Sequence, residues 1–142
     1  MIQFFTSEEE AQIVETIRQA ELGTSGEIRV HLETDATVDA ITESQKVFRQ
    51  LGMHKTKHRN GVLILLELNR REFAIVGDEG IDQVVTEDFW KEERDLMQTY
   101  FRQRAFAEGI CLAVQQIGAK LKKHFPADGD TENELPNTIS FN

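Results

Sequence analysis

The chain of 142 residues has a single cysteine, Cys111. That excludes an internal disulfide and a cysteine-rich zinc cage. Proline is confined to Pro126 and Pro136, so the first 125 residues are uninterrupted by proline. No apolar run approaches the roughly 20 residues of a membrane span. Basic residues are also short: 16 Lys and Arg stand against 25 Asp and Glu, for a net charge of −9. Duplex nucleic acid needs a basic face to neutralise phosphates, and an anionic membrane repels an acidic surface. Both are excluded as expected partners. There is no glycine-rich phosphate loop, because Gly77 and Gly80 fit neither GxGxxG nor Walker A spacing. The opening MIQFFTSEEE has no basic stretch and no long apolar run. It predicts a cytoplasmic protein without a signal peptide.

What is present is one domain's worth of ordinary globular sequence, with 39% hydrophobic and 29% charged residues. A chain of this size buries roughly two thirds of its unfolded surface, enough for a core without staples. Residues 1–125 read as one domain and residues 126–142 as an acidic, extended tail. That tail holds four acids and no base and reads as mostly extended or loosely docked, with Ile139 and Phe141 as candidate anchors.

Thr6 and Ser7 each have Glu three residues on, so either makes a capping box for a first helix that ends before Gly23. Glu27 to Glu33, EIRVHLE, alternates apolar and polar residues, the pattern of a half-buried strand. Residues 37–51 place Val38, Ile41, Val47, Phe48 and Leu51 on an amphipathic helix. A basic polar loop follows at 52–60. Gly61 to Leu68, GVLILLEL, suits a central buried strand, and Glu72 to Val76 returns as its hairpin partner. Two helices complete the chain. One is capped by Thr86 and carries Phe89, Trp90, Leu96, Met97, Tyr100 and Phe101. The other bears Ile110, Val114, Ile117 and Leu121 on one stripe. The order predicts an α/β fold, a three-layer α/β/α sandwich. Its small mixed sheet of three to four strands combines a right-handed parallel β-α-β unit with an antiparallel hairpin.

That topology makes three segments converge on one end of the sheet: residues 24–27, 58–61 and 77–82. The end collects Glu27, Asp78, Glu79 and Asp82, with Thr24, Ser25 and Asn60 nearby. Hard divalent cations take such oxygens. The same GDEGID stretch also suits a plain strand-to-helix turn with acids at a helix N-terminus.

The chain resembles the TPM domain family, which includes thylakoid-lumen proteins of photosystem II repair and many bacterial proteins. The resemblance rests on TSGEIRV at 24–30, LGMHKTKHRNGVLILL at 51–66, FAIVGDEGI at 73–81, DFW at 88–90 and AFAEGICLAV at 105–114, in that order and spacing. Short stand-alone bacterial members share the NELP…ISF pattern of Asn133 to Phe141. The resemblance implies an α/β/α sandwich, Ca²⁺ or Mg²⁺ binding at an acidic loop cluster and, in some members, acid phosphatase activity. It points to Glu27, Asp78 and Asp82 as metal ligands. It departs at the second strand's start, where many members place Asp before Asn-Gly and this chain has Arg59-Asn60-Gly61. A cation replaces one anionic ligand there, which either lowers the expected metal affinity or shifts the ligand set towards Asp78, Glu79 and Asp82.

The remaining candidates read as structural. His54 and His58 lie in a loop without an HExxH pattern, so a solvated loop is expected rather than a zinc site. Asp128, Gly129, Asp130 and Glu132 only faintly resemble an EF-hand start and read as solvated tail. Cys111 reads as a buried small hydrophobe. Trp90, Tyr100, Phe101 and Phe106 read as core, and His31 as a surface or helix-packed histidine. The expected function is a binding or regulatory module for a divalent cation, Ca²⁺ before Mg²⁺. A metal-dependent phosphomonoesterase at the same acids, with the basic loop holding the phosphate, is the second reading. A metal-free interaction domain for a protein partner is the third.

Overall fold

A computed structural model describes residues 4–127 and 133–142. The acidic Asp128–Glu132 stretch therefore lies outside the described residues. Helix α1 (Ser7–Glu21) starts at Thr6, whose hydroxyl accepts from Glu9 N–H while Glu9 accepts in return from Thr6 N–H. The capping box thus forms on the first of the two candidate residues. Strand β1 (Glu27–Glu33) leads through α2 (Ala40–Gln50), capped by Asp39, to β2 (Gly61–Glu67) and β3 (Glu72–Gly77). A four-residue helix, α3 (Glu79–Asp82), precedes α4 (Lys91–Arg102) and α5 (Phe106–His124). Residues 140–141 form β4.

The sheet order is β3-β2-β1-β4. Strands β1 and β2 are parallel from Glu27↔Gly61 to Glu33↔Glu67, and β3 returns antiparallel to β2. This is the expected α/β sandwich. Ile28, Val30, Leu32, Val62, Ile64 and Leu66 face a core shared with α1, α4 and α5. Leu63, Leu65 and Ala74 face the other way, onto Val47, Phe48 and Met53. Both faces of β2 are apolar because helices and loop cover both. Helices α1 and α5 approach closely at Gly118, where an added Cβ would sit 2.7 Å from Ala20 Cβ.

Several details differ from expectation. Val38 precedes α2 and is exposed, and Ile41 lies on the helix's outer face; Glu43 and Ser44 are buried instead. The 52–60 loop is not wholly polar, since Met53 is fully buried in a short 3₁₀ turn. Thr86 heads a turn, and α4 begins five residues later. Trp90 is buried, but Phe101 and Phe106 are only partly covered.

The largest difference concerns the tail. All seven residues of β1 are buried, the polar ones included. Residues 133–142 lie along that polar face and answer it residue by residue. Leu135 N–H donates to Glu27 Oε1 at 2.6 Å, and Arg29 Nη2 donates to the Thr138 carbonyl at 3.4 Å. His31 Nδ1 lies 2.7 Å from Ser140 Oγ, and Asn142 Nδ2 donates to Glu33 Oε2 at 3.3 Å. Strand β4 pairs parallel with β1 at His31↔Ser140 and Leu32↔Phe141. Leu135 and Ile139 are the buried anchors, while Phe141 remains 38% exposed. His31 is not a surface residue. It is enclosed between Ser140 and Glu33, and burial lowers its pKa, with the Glu33 carboxylate opposing.

Candidate functional site

The three converging segments meet at the starts of β1 and β2. Asn60 Nδ2 donates to Ser25 Oγ at 3.1 Å, joining the first two. Asp78 N–H donates to the Gly61 carbonyl at 3.0 Å, and Gly80 N–H to the Arg59 carbonyl at 2.8 Å, joining the third. Gly80 is required there: a Cβ would fall onto the carbonyl oxygens of His58 and Arg59.

Asp78 caps α3, its Oδ1 accepting from Glu79 N–H at 2.8 Å. Both its oxygens also accept from Arg59, Oδ2 from Nε at 2.8 Å and Oδ1 from Nη2 at 3.0 Å. Arg59 Nη1 reaches Glu79 Oε1 at 3.0 Å. The Asp78 carboxylate raises the pKa of Arg59 further. Arg59 sits at φ 52, a left-handed conformation that bulky residues avoid. Its side chain therefore occupies the acidic cluster at some backbone cost. Asp82 follows on α3; burial and then the Asp78 charge raise its carboxyl pKa.

Glu27 belongs to the same end but turns towards the tail. Its Oε1 accepts from Leu135 N–H and, with the Asn133 amide oriented to donate, from Asn133 at 2.9 Å. Its buried Oε2 has no hydrogen-bond partner among the described residues. Burial pushes the Glu27 carboxyl up to about 7, against the Leu135 N–H bond, with the Glu134 charge adding to the rise. Glu21, which sequence reasoning passed over as a helix end, lies beside it. Its Oε2 accepts from Ile28 N–H at 2.8 Å, and burial pushes it to about 7, the Glu27 charge contributing. A cleft of about 210 Å³ runs between Glu21, Ser25, Glu27 and Asn133. The signal available in sequence was an acid at the end of the first helix, two residues before Gly23.

The four expected ligands therefore divide. Asp78 and Glu79 share Arg59, Asp82 lies close in chain and charge, and Glu27 faces the tail. Among the described residues, no three His, Cys, Asp or Glu side chains are grouped to hold a metal ion as they stand.

These features define a small α/β/α domain with an acidic end at the starts of two parallel strands, occupied by its own arginine. The chain belongs to the TPM domain family, which it matches over residues 2–120. It is 44% identical to BA42 from the psychrophilic bacterium Bizionia argentinensis, over 100% of this chain and 98% of that one, with a TM-score of 0.93. Two more distant structures share the fold. The N-terminal domain of a P. gingivalis protein is 22% identical, with TM-score 0.70, over 86% of this chain and 79% of that one. The N-terminal domain of cg2496 from Corynebacterium glutamicum is 16% identical, with TM-score 0.67, over 92% and 80%. No functionally curated protein matches the chain. No helix among the described residues is long and apolar enough to cross a membrane.

Proposed function

We propose that the protein is a divalent-cation-binding module in which the metal and Arg59 compete for Asp78 and Glu79, with Asp82 as a further donor. The observation that carries this reading is the Arg59 guanidinium itself, seated across Asp78 and Glu79. An end that holds one cation through carboxylates offers the right chemistry for another. In kind, the donors suit a hard oxygen-seeking ion. In position, they suit it once the guanidinium swings out, because both Asp78 oxygens are otherwise engaged. A ligand set on one short turn favours Ca²⁺, whose coordination is flexible, over Mg²⁺, which demands near-octahedral geometry. The bound ion would supply charge neutralisation that orders residues 77–82.

The test is an NMR titration with CaCl₂ that follows amides 77–83 and the Arg59 Nε–H. Saturable shifts in both support competition. No saturable change at millimolar Ca²⁺ rejects the reading.

The phosphomonoesterase reading uses the same acids and draws support from Arg59, which contacts Asp78 and Glu79 from a loop that also carries Lys55 and Lys57. It requires that hydrolysis of a chromogenic phosphate ester be abolished both by chelation and by Asp78→Asn. Activity that survives either change rejects it.

A further inference from the structure

The opposite end of the sheet, beyond the C-terminus of β2, carries a cavity of about 700 Å³, well within the range of small-molecule sites. Its wall is a run of touching rings. Phe4 lies 5.0 Å from Phe106, Phe106 lies 5.3 Å from Phe101, and Phe101 lies 5.2 Å from Phe73. These rings come from the N-terminus, α5, α4 and β3, and none is fully buried. Gly109 lets α5 approach α4 here, where a Cβ would sit 2.8 Å from Tyr100 Cβ.

The rim is cationic in an otherwise acidic protein. Arg71, Arg102 and Arg104 all line the cavity. Glu67 and Glu72 reach it too, but Arg70 holds both, at 3.3 and 3.4 Å. Among the described residues, the guanidinium groups of Arg71, Arg102 and Arg104 have no hydrogen-bond or ion-pair partner.

Backbone conformation adds an independent observation. Among the described residues, three non-glycine residues have positive φ, and all three are arginines: Arg59, Arg71 at 55° and Arg104 at 61°. Turns with such φ ordinarily take Gly or Asn. Strain of this kind gathers where a side chain has work to do. Arg59 holds Asp78 and Glu79, whereas Arg71 and Arg104 project from two separate turns onto one cavity whose two carboxylates, Glu67 and Glu72, pair with Arg70 instead.

We propose that this cavity binds an amphipathic organic anion, its acyl or aryl body against the four phenylalanines and its carboxylate or phosphate head at Arg71 and Arg104. The apolar wall supplies burial, and the guanidinium forks supply charge-assisted, geometrically selective contacts to a planar or tetrahedral oxyanion. Crevices outside the carboxyl ends of parallel strands are where α/β sheets commonly bind ligands. This site lies a full strand length, roughly 20 Å, from the acidic end, so it stands or falls separately from the cation reading.

The test is an NMR titration of the full chain with sodium octanoate and, in parallel, octanol. The variant is Arg71→Asn combined with Arg104→Asn, because Asn tolerates the left-handed conformation and the turns should persist. Its amide spectrum checks that they do. Saturable octanoate shifts in residues 66–73 and 98–106 are expected. Octanol and the double variant should each bind about tenfold more weakly than octanoate binds the unaltered chain, the effect of one or two charge-assisted contacts. Equal binding of octanoate and octanol, undiminished octanoate binding by the double variant, shifts confined to other residues, or no saturation would each overturn the proposal.

Discussion

Arg59 donates from Nε and Nη2 to the two oxygens of Asp78, so one fork closes across two loops 19 residues apart. The pair sits where the carboxylates would otherwise repel one another. It neutralises the acidic end internally, and the loop connectivity fixes its geometry.

Replacing Arg59 therefore changes cation binding in a defined direction. Arg59→Asn keeps a residue that tolerates φ 52 while removing the competing charge. Freeing a partly exposed bidentate pair should raise Ca²⁺ affinity about five- to tenfold. Isothermal calorimetry on both proteins measures it, and an unchanged or weaker affinity contradicts competition.

The two glycines of the 77–80 turn should respond differently to alanine. At Gly77 the nearest atom to an added Cβ is the flexible end of Ile81, at 3.2 Å, and a modest loss is expected. At Gly80 the obstacle is the backbone of His58 and Arg59, which cannot yield without parting the loops. Gly80→Ala should cost about 1–3 kcal/mol, as overpacking does, and weaken the Arg59 contacts. Thermal melts of the two variants give the ranking; equal losses would contradict it.

Glu27 makes stability depend on pH. Its folded carboxyl titrates at about 7 against an ordinary value of 4.5. Between those values the native state keeps a proton that the unfolded chain has released. The contribution of Glu27 is therefore fully present below about pH 4.5 and is lost as pH rises through 7. Glu27→Gln retains an acceptor for Leu135 N–H and removes the charge. At pH 8 the variant should be more stable than the parent by about 1–3 kcal/mol, and near pH 4.5 the two should agree. Urea denaturation at both pH values decides it, and parallel curves would refute the assignment.

Removing residues 133–142 should do more than shorten the chain. The deletion uncovers Glu27, Arg29, His31 and Glu33 and leaves the free side of β1 as an exposed sheet edge. Unpaired edges recruit other strands. The truncated protein is expected to melt at lower temperature and to form dimers or aggregates on size-exclusion chromatography. A monomer of unchanged melting temperature would show that the strap is dispensable.

Much of the fold was legible because hydrophobic period and caps act locally. EIRVHLE, GVLILLEL and the Ile110–Leu121 stripe became the elements they suggested. So did the hairpin and the meeting of the 24–27, 58–61 and 77–82 segments, since strand direction dictates which ends share a side. The positions the sequence left open were those whose burial depends on a distant segment. Phe101 and Phe106 have the spacing of core residues, yet only the crossing of α4 and α5 near the β2–β3 turn decides that they wall a cavity. Glu27 carries the charge of a ligand, yet the residue that meets its carboxylate lies 108 positions away.

The amino-acid order by itself determined the α/β elements, the parallel unit, the acidic end and a net charge that disfavours nucleic acid. Each follows from side-chain period, turn chemistry or charge count, which need no partner. Only the tertiary structure decided which acids stand together, that Arg59 occupies them, and that the last ten residues cover β1's polar face. The physical reason is that alternation along a strand states that a face is polar, not what lies over it. Water and a strap of complementary hydrogen bonds both satisfy that pattern, and the difference lies in contacts more than a hundred residues apart.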